Sequence, residues 1–152
     1  MILSQQWSPP DWMIRNSRPV DRGYFENLTR IIFQAGLNWK VVDKKWPNFK
    51  EAFKDFSVDS ISNFKKNEVE QLMNNKGIIR NRAKIVATIN NAKEFQKIIL
   101  KNRSFRNYLD SLDKSNNYTH VIKELSSKFS RLGPSSASLF LYSVGENIKH
   151  EM

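Results

Sequence analysis

At 152 residues the chain is one domain by length, long enough to bury a core without staples. It has no cysteine and two histidines, which excludes a disulfide framework and a thiolate metal site and argues against a protein-built zinc centre. Lys+Arg 25 against Asp+Glu 15 leaves +10, a surplus that marks a polyanion partner, nucleic acid first and anionic membrane second.

The first 20 residues read as irregular, because Pro9, Pro10 and Pro19 break any helix there. Trp7 and Trp12 lie in this stretch and either seal the core or line a pocket. Asp21 opens a helix whose Phe25, Leu28, Ile31, Ile32 and Ala35 recur at helical spacing up to Gly36. Gly36 is placed to take the left-handed conformation that ends a helix, and Asn38 to cap a second one starting at Trp39. Trp39 is then either a core ring in a tight corner or a flat surface at the mouth of a crevice. Pro47 suits the first turn of a further helix, with Phe49, Phe53 and Phe56 facing the core.

A short helix is expected over Val58 to Phe64, and Asn67-Glu68-Val69-Glu70 has the form of a capping box before Leu72 and Met73. The longest helix runs from about Asn81 to Lys101, with Ile85, Ile89, Ala92, Phe95 and Ile99 on one face. Phe105 to Leu112 forms a short helix, Thr119 caps another carrying Val121, Leu125 and Phe129, and a last one runs from Ala137 to Gly145. No alternating strand, low-complexity segment or repeat is present. The reading is a single all-α domain over residues 1–152, of about nine short helices. No apolar run approaches the roughly 18–20 residues that cross a bilayer, and Met1-Ile2-Leu3-Ser4 is too short and uncharged for a signal peptide. A cytoplasmic protein with no membrane partner is expected.

The charge is focused. Between Lys76 and Arg106 stand nine basic residues and one acid, Glu94, so this segment carries +8 of the +10. Within it, Arg80, Arg82 and Lys84 open the longest helix. Cations are unfavourable at a helix N-terminus, so either phosphate or a nearby carboxylate such as Glu68 or Glu70 must compensate. Leu132-Gly133-Pro134-Ser135-Ser136 reads as a Gly-centred hairpin leading into a helix. Its outward N–H groups and hydroxyls suit one DNA phosphate, bound without regard to sequence; the alternative is an ordinary helical turn. Trp39 and Trp46 could serve as stacking platforms for unpaired bases or as core residues. No phosphate loop, dinucleotide fingerprint or nucleophile elbow occurs, and nothing identifies a general base or a cofactor.

Three stretches together resemble the 3-methyladenine DNA glycosylase I family, within the helix-hairpin-helix glycosylase superfamily. They are Gln34-Ala35-Gly36-Leu37-Asn38-Trp39, Gly77-Ile78-Ile79-Arg80-Asn81-Arg82-Ala83-Lys84-Ile85, and Gly133-Pro134 leading to Phe140, Gly145 and His150. The resemblance implies a two-lobed all-α fold with an interlobe cleft and hydrolysis of the N-glycosidic bond of alkylated purines in double-stranded DNA, by a monomer near the nucleoid. It places Trp39, Ile31, Phe33, Gln34, Asn38 and Trp12 about the base. It places Arg80, Arg82, Lys84, Leu132, Gly133, Ser135 and Ser136 on DNA. The chain departs from the family in two respects that bear on chemistry. Ile31 stands where the family has a base-contacting Glu, and of the family's two Cys and two His zinc ligands only His150 remains. A non-catalytic lesion-sensing relative and a glycosylase of shifted specificity are the alternatives.

Overall fold

Eight of the ten phenylalanines are fully buried. They join helices that are too short to stand alone. In the computed structural model, which describes residues 8–15 and 17–150, α1 (Asp21–Gln34) lies at the centre. It is followed by α2 (Trp39–Ala52), α3 (Val58–Ser62), α4 (Lys66–Met73) and α5 (Arg82–Asn102). Then come α6 (Phe105–Asp110), α7 (Ser115–Lys128) and α8 (Pro134–Ser143), with 3-10 turns at Asp11–Met13 and Lys54–Phe56. No strand occurs among the described residues. Trp7 and the segment Met1-Ile2-Leu3-Ser4 lie outside them.

Phe95 of α5 stacks on Phe105 at 4.3 Å and meets Phe25 edge-on at 5.1 Å, tying α5, α6 and α1 together. Phe33 meets Phe49 edge-on at 4.8 Å and joins α1 to α2. Burying one such ring contributes roughly 1.5–3 kcal/mol, more than any single cap or ion pair. Residues from Tyr24 onward make α1 buried on nearly every face, so its polar side chains must find partners inside. Asn27 donates to Ser143 O and Oγ, Thr29 to Phe25 O, and Arg30 to Asp43 while lying between the rings of Trp12 and Trp46.

The corner between α1 and α2 follows the local signals. Gly36 has φ 78°, and the Asn38 side chain accepts from Lys40 N at 2.9 Å. Three expectations are corrected. Pro47 lies inside α2 rather than at its start. An interior Pro costs about 3 kcal/mol, which burial of the flanking Trp46 and Phe49 offsets. The capping box sits two residues earlier than expected: the Glu68 carboxylate accepts from Lys65 N, so α4 begins at Lys66. Thr119 does not cap α7. Its hydroxyl donates to Asn116 O, and Asn116, Asn117 and Tyr118 take left-handed backbone angles before the right-handed run.

The segment after α8 is irregular yet pinned at every step. Glu146 is salt-bridged to Arg18 and Lys114, Asn147 N donates to Tyr118 Oη, and Asn117 brackets Lys149 with two backbone bonds. His150 Nδ1 lies 2.8 Å from Ser138 Oγ.

Candidate functional site

The C-terminal end of α1, the first turn of α2, the start of α8 and the pinned tail enclose a crevice of about 220 Å³. Ile31, Gln34 and Trp39 form one wall, and Ala35 and Gly36 lie at the corner. Ser135, Ser136 and Leu139 of α8 face them, with His150 at the end. The volume suits a single planar ring system rather than a large ligand. Trp39 is half-buried and packs partly on the core, so its ring is held while still lining the opening.

Beside the crevice runs the hairpin between α7 and α8. Asn91, buried on α5, clamps it from below: its Oδ1 accepts from Ser130 N at 2.8 Å and its Nδ2 donates to Ser130 O at 3.2 Å. Arg131 then takes a left-handed conformation with φ 64°. Gly133 has an ordinary extended backbone, and a Cβ there would meet nothing within 4 Å. Neither backbone strain nor packing therefore demands glycine at this position. A missing side chain is of use when another backbone or an anion must approach closely. Pro134 occupies the first turn of α8, where its absent N–H costs nothing, and leaves the N–H groups of Ser135 and Ser136 at the positive end of the helix.

Among the DNA-contact candidates, Gly133, Ser135 and Ser136 sit at this helix start, with Ser135 and Ser136 also lining the crevice. Arg80 is exposed just before α5. Arg82 is exposed but forms a two-pronged bond to Glu70 at 2.8 and 3.2 Å, the carboxylate alternative raised above. Lys84 is corrected outright. It is 7% exposed, and its ammonium donates to Phe33 O and Ala35 O, both at 2.9 Å, closing the open end of α1. Leu132 is likewise buried in the core and does not reach the surface.

Of the base-contact candidates, Trp39, Ile31 and Gln34 meet in the crevice. Phe33 does not: the helical turn points it to the opposite side, against Phe49 and Phe53. Asn38 is exposed and occupied as the cap of α2. The Trp12 ring lies under the Arg30 guanidinium, 4.4 Å away, and lines no part of the crevice. Sequence reasoning missed Leu139 and His150 as crevice residues and Arg131 as the cation on the hairpin. Only the resemblance pointed to His150. Arg131 carried no local signal beyond its place before the Gly.

The electrostatics follow from burial. Burial first, and the charge of Arg131 second, hold the Lys84 ammonium below the usual lysine range. Burial pulls His150 below its ordinary value of 6.5, so its imidazole is neutral at pH 7. Zinc does not fit here. The chain has no Cys, the described residues hold no group of three or more His, Cys, Asp or Glu suited to a metal, and His150 Nδ1 is engaged by Ser138. A larger hollow of about 460 Å³ between α2 and α4 carries Glu51, Lys54 and Glu68, and no residue of the hairpin lines it.

A helical hairpin set against a ring-sized crevice in an all-α fold defines the helix-hairpin-helix type of glycosylase architecture. The chain belongs to the methyladenine glycosylase family, whose model matches residues 7–139. It is 33% identical over 91 residues to the DNA-3-methyladenine glycosylase of Haemophilus influenzae, a match covering 60% of this chain and 45% of that protein. It is 40% identical over 62 residues to DNA-3-methyladenine glycosylase 1 of Escherichia coli, covering 41% of this chain and 33% of that one. The matches thus span less than half the length of these curated relatives. The crystal structure of a 3-methyladenine DNA glycosylase I superposes with a TM-score of 0.73 at 28% identity, over 85% of this chain and 81% of that one.

Proposed function

We propose that the chain is a monofunctional DNA glycosylase that hydrolyses the N-glycosidic bond of alkylated purines such as 3-methyladenine, in base excision repair. The observation that carries this reading is the meeting of two sites: Trp39 walls a ring-sized crevice whose opposite wall, Ser135 and Ser136, begins the helix after the hairpin. A base turned out of the stack and the backbone phosphate beside it would be held within one turn of helix. Family membership supports the substrate class. The DNA would lie across the cleft between two helical lobes, as a duplex bound by one copy of the chain in the nucleoid.

An N3-alkylated adenine in DNA is a cation. As the C1′–N bond breaks, its electron pair neutralises the departing base, a water oxygen bonds to C1′, and the water's proton passes to solvent. Such a leaving group asks little of a general base, and among the described residues no carboxylate lines the crevice. The chain's share is to stack the base on Trp39, at roughly 1–3 kcal/mol per base, and to shut out bulk water between Ile31 and Leu139. Incubation with methylated duplex DNA tests the reading. Release of 3-methyladenine is expected, and intact binding with no base released would instead support a lesion-sensing relative.

A further inference from the structure

Apart from the indole N–H of Trp39, which only donates, the polar side chains on the crevice wall share one property. Gln34 brings a carboxamide, Ser135 and Ser136 bring hydroxyls, and His150 brings an imidazole. Each can donate or accept a hydrogen bond as a ligand requires. Among the described residues, no carboxylate, which only accepts, and no ammonium or guanidinium, which only donates, lines the space. Ile31 stands in the wall, 1% exposed, and adds no polarity. Gln34 is 2% exposed, and its Nε2 has no hydrogen-bond partner among the described residues, whereas Asn27 and Thr29 on the same helix are engaged. A half-turn of its terminal torsion exchanges donor for acceptor at the same place.

We infer that Gln34 reads the polar edge of a bound purine with reversible polarity, so that the crevice accepts N3-alkylpurines bearing either a 6-amino or a 6-oxo group with comparable affinity. This rests on the reading of the crevice as a base site and narrows it to a substrate class. Strong rejection of one edge by another needs a site group of fixed polarity, left unpaired by the wrong ligand. An amide that can turn pairs with both.

Calorimetric titration of the full chain with the free bases 3-methyladenine and 3-methylguanine tests this. The two dissociation constants are expected to lie within tenfold of each other. Gln34→Glu fixes the polarity as acceptor and should weaken the oxo base at least tenfold relative to the amino base. Gln34→Leu should weaken both and leave their ratio unchanged. Should the Gln34 variants fail to fold, Ile31→Glu places a fixed acceptor on the same wall and should open the ratio at least tenfold in favour of the amino base. A wild-type ratio above tenfold, an unchanged ratio in the variant with the carboxylate, or binding of neither base overturns the inference. Release from methylated duplex is scored separately: comparable binding of both bases without release leaves the inference standing and removes the glycosylase reading.

Discussion

Lys84 Nζ lies 2.9 Å from the carbonyl oxygen of Ala35, 49 residues away in sequence. With its second bond to Phe33 O it satisfies two of the carbonyls that α1 leaves open, at the corner that holds Gly36 and Trp39. Lys84, one cation of the most basic segment, therefore supports the crevice wall from inside the fold.

Lys84→Met should destabilise the fold by about 1–3 kcal/mol, the cost of leaving a buried carbonyl unpaired. Urea denaturation would show this as a lower midpoint at unchanged slope. The salt dependence of DNA binding should stay the same, whereas a slope reduced by about one would mark Lys84 as a phosphate contact after all.

Arg80 is exposed just before α5 and Arg131 is exposed on the hairpin, whereas Arg82 is paired with Glu70. Replacing Arg80 and Arg131 together by Ala should weaken binding to every duplex alike and lower the salt slope by about two. Arg82→Ala should change it less. Salt-dependent titrations order the three.

Local signals were legible where a single residue settles the backbone. Gly36 and Asn38 are such cases, and they placed the crevice corner. What escaped was decided by distant contacts. Nothing near Lys84 in sequence shows that α1 ends against it, and Phe33 differs from Ile31 only by which side of α1 meets α2. Pro47 looked like a helix start because its cost is local, while the burial that offsets it is not. His150 reaches the crevice through a tail held by Asn117 and Tyr118, in left-handed backbone that no periodicity predicts.

The same tail depends on ion pairs. Arg18 bonds to Asp110 and Glu146, and Lys114 bridges the same two carboxylates. The Arg18 hydrogen bond, followed by that of Lys114, outweighs partial burial and holds Asp110 at about 2, below its ordinary 3.8. A carboxyl so lowered stabilises the fold fully above its unfolded value and loses that contribution as pH falls through the folded one. Thermal stability should therefore drop between about pH 4 and pH 2. Asp110→Asn should be less stable at neutral pH and show a shallower acid limb; an unchanged limb would mean that the pairing does not survive in solution.

Trp39→Ala should abolish base release and binding to lesion-bearing duplex while changing affinity for undamaged duplex less than threefold, within the scatter of such titrations. Its ring packs partly on the core, so a fall in thermal midpoint accompanies the loss. Equal loss of both affinities would make Trp39 a structural residue.

The most direct test of the crevice as the base site is an NMR titration of the isotope-labelled chain with 3-methyladenine. The account predicts shifts centred on Gln34, Gly36, the Trp39 indole N–H, Ser136 and Leu139. Shifts centred instead on the hollow lined by Asn48, Glu68 and Gln71, or none at saturating base, would contradict it.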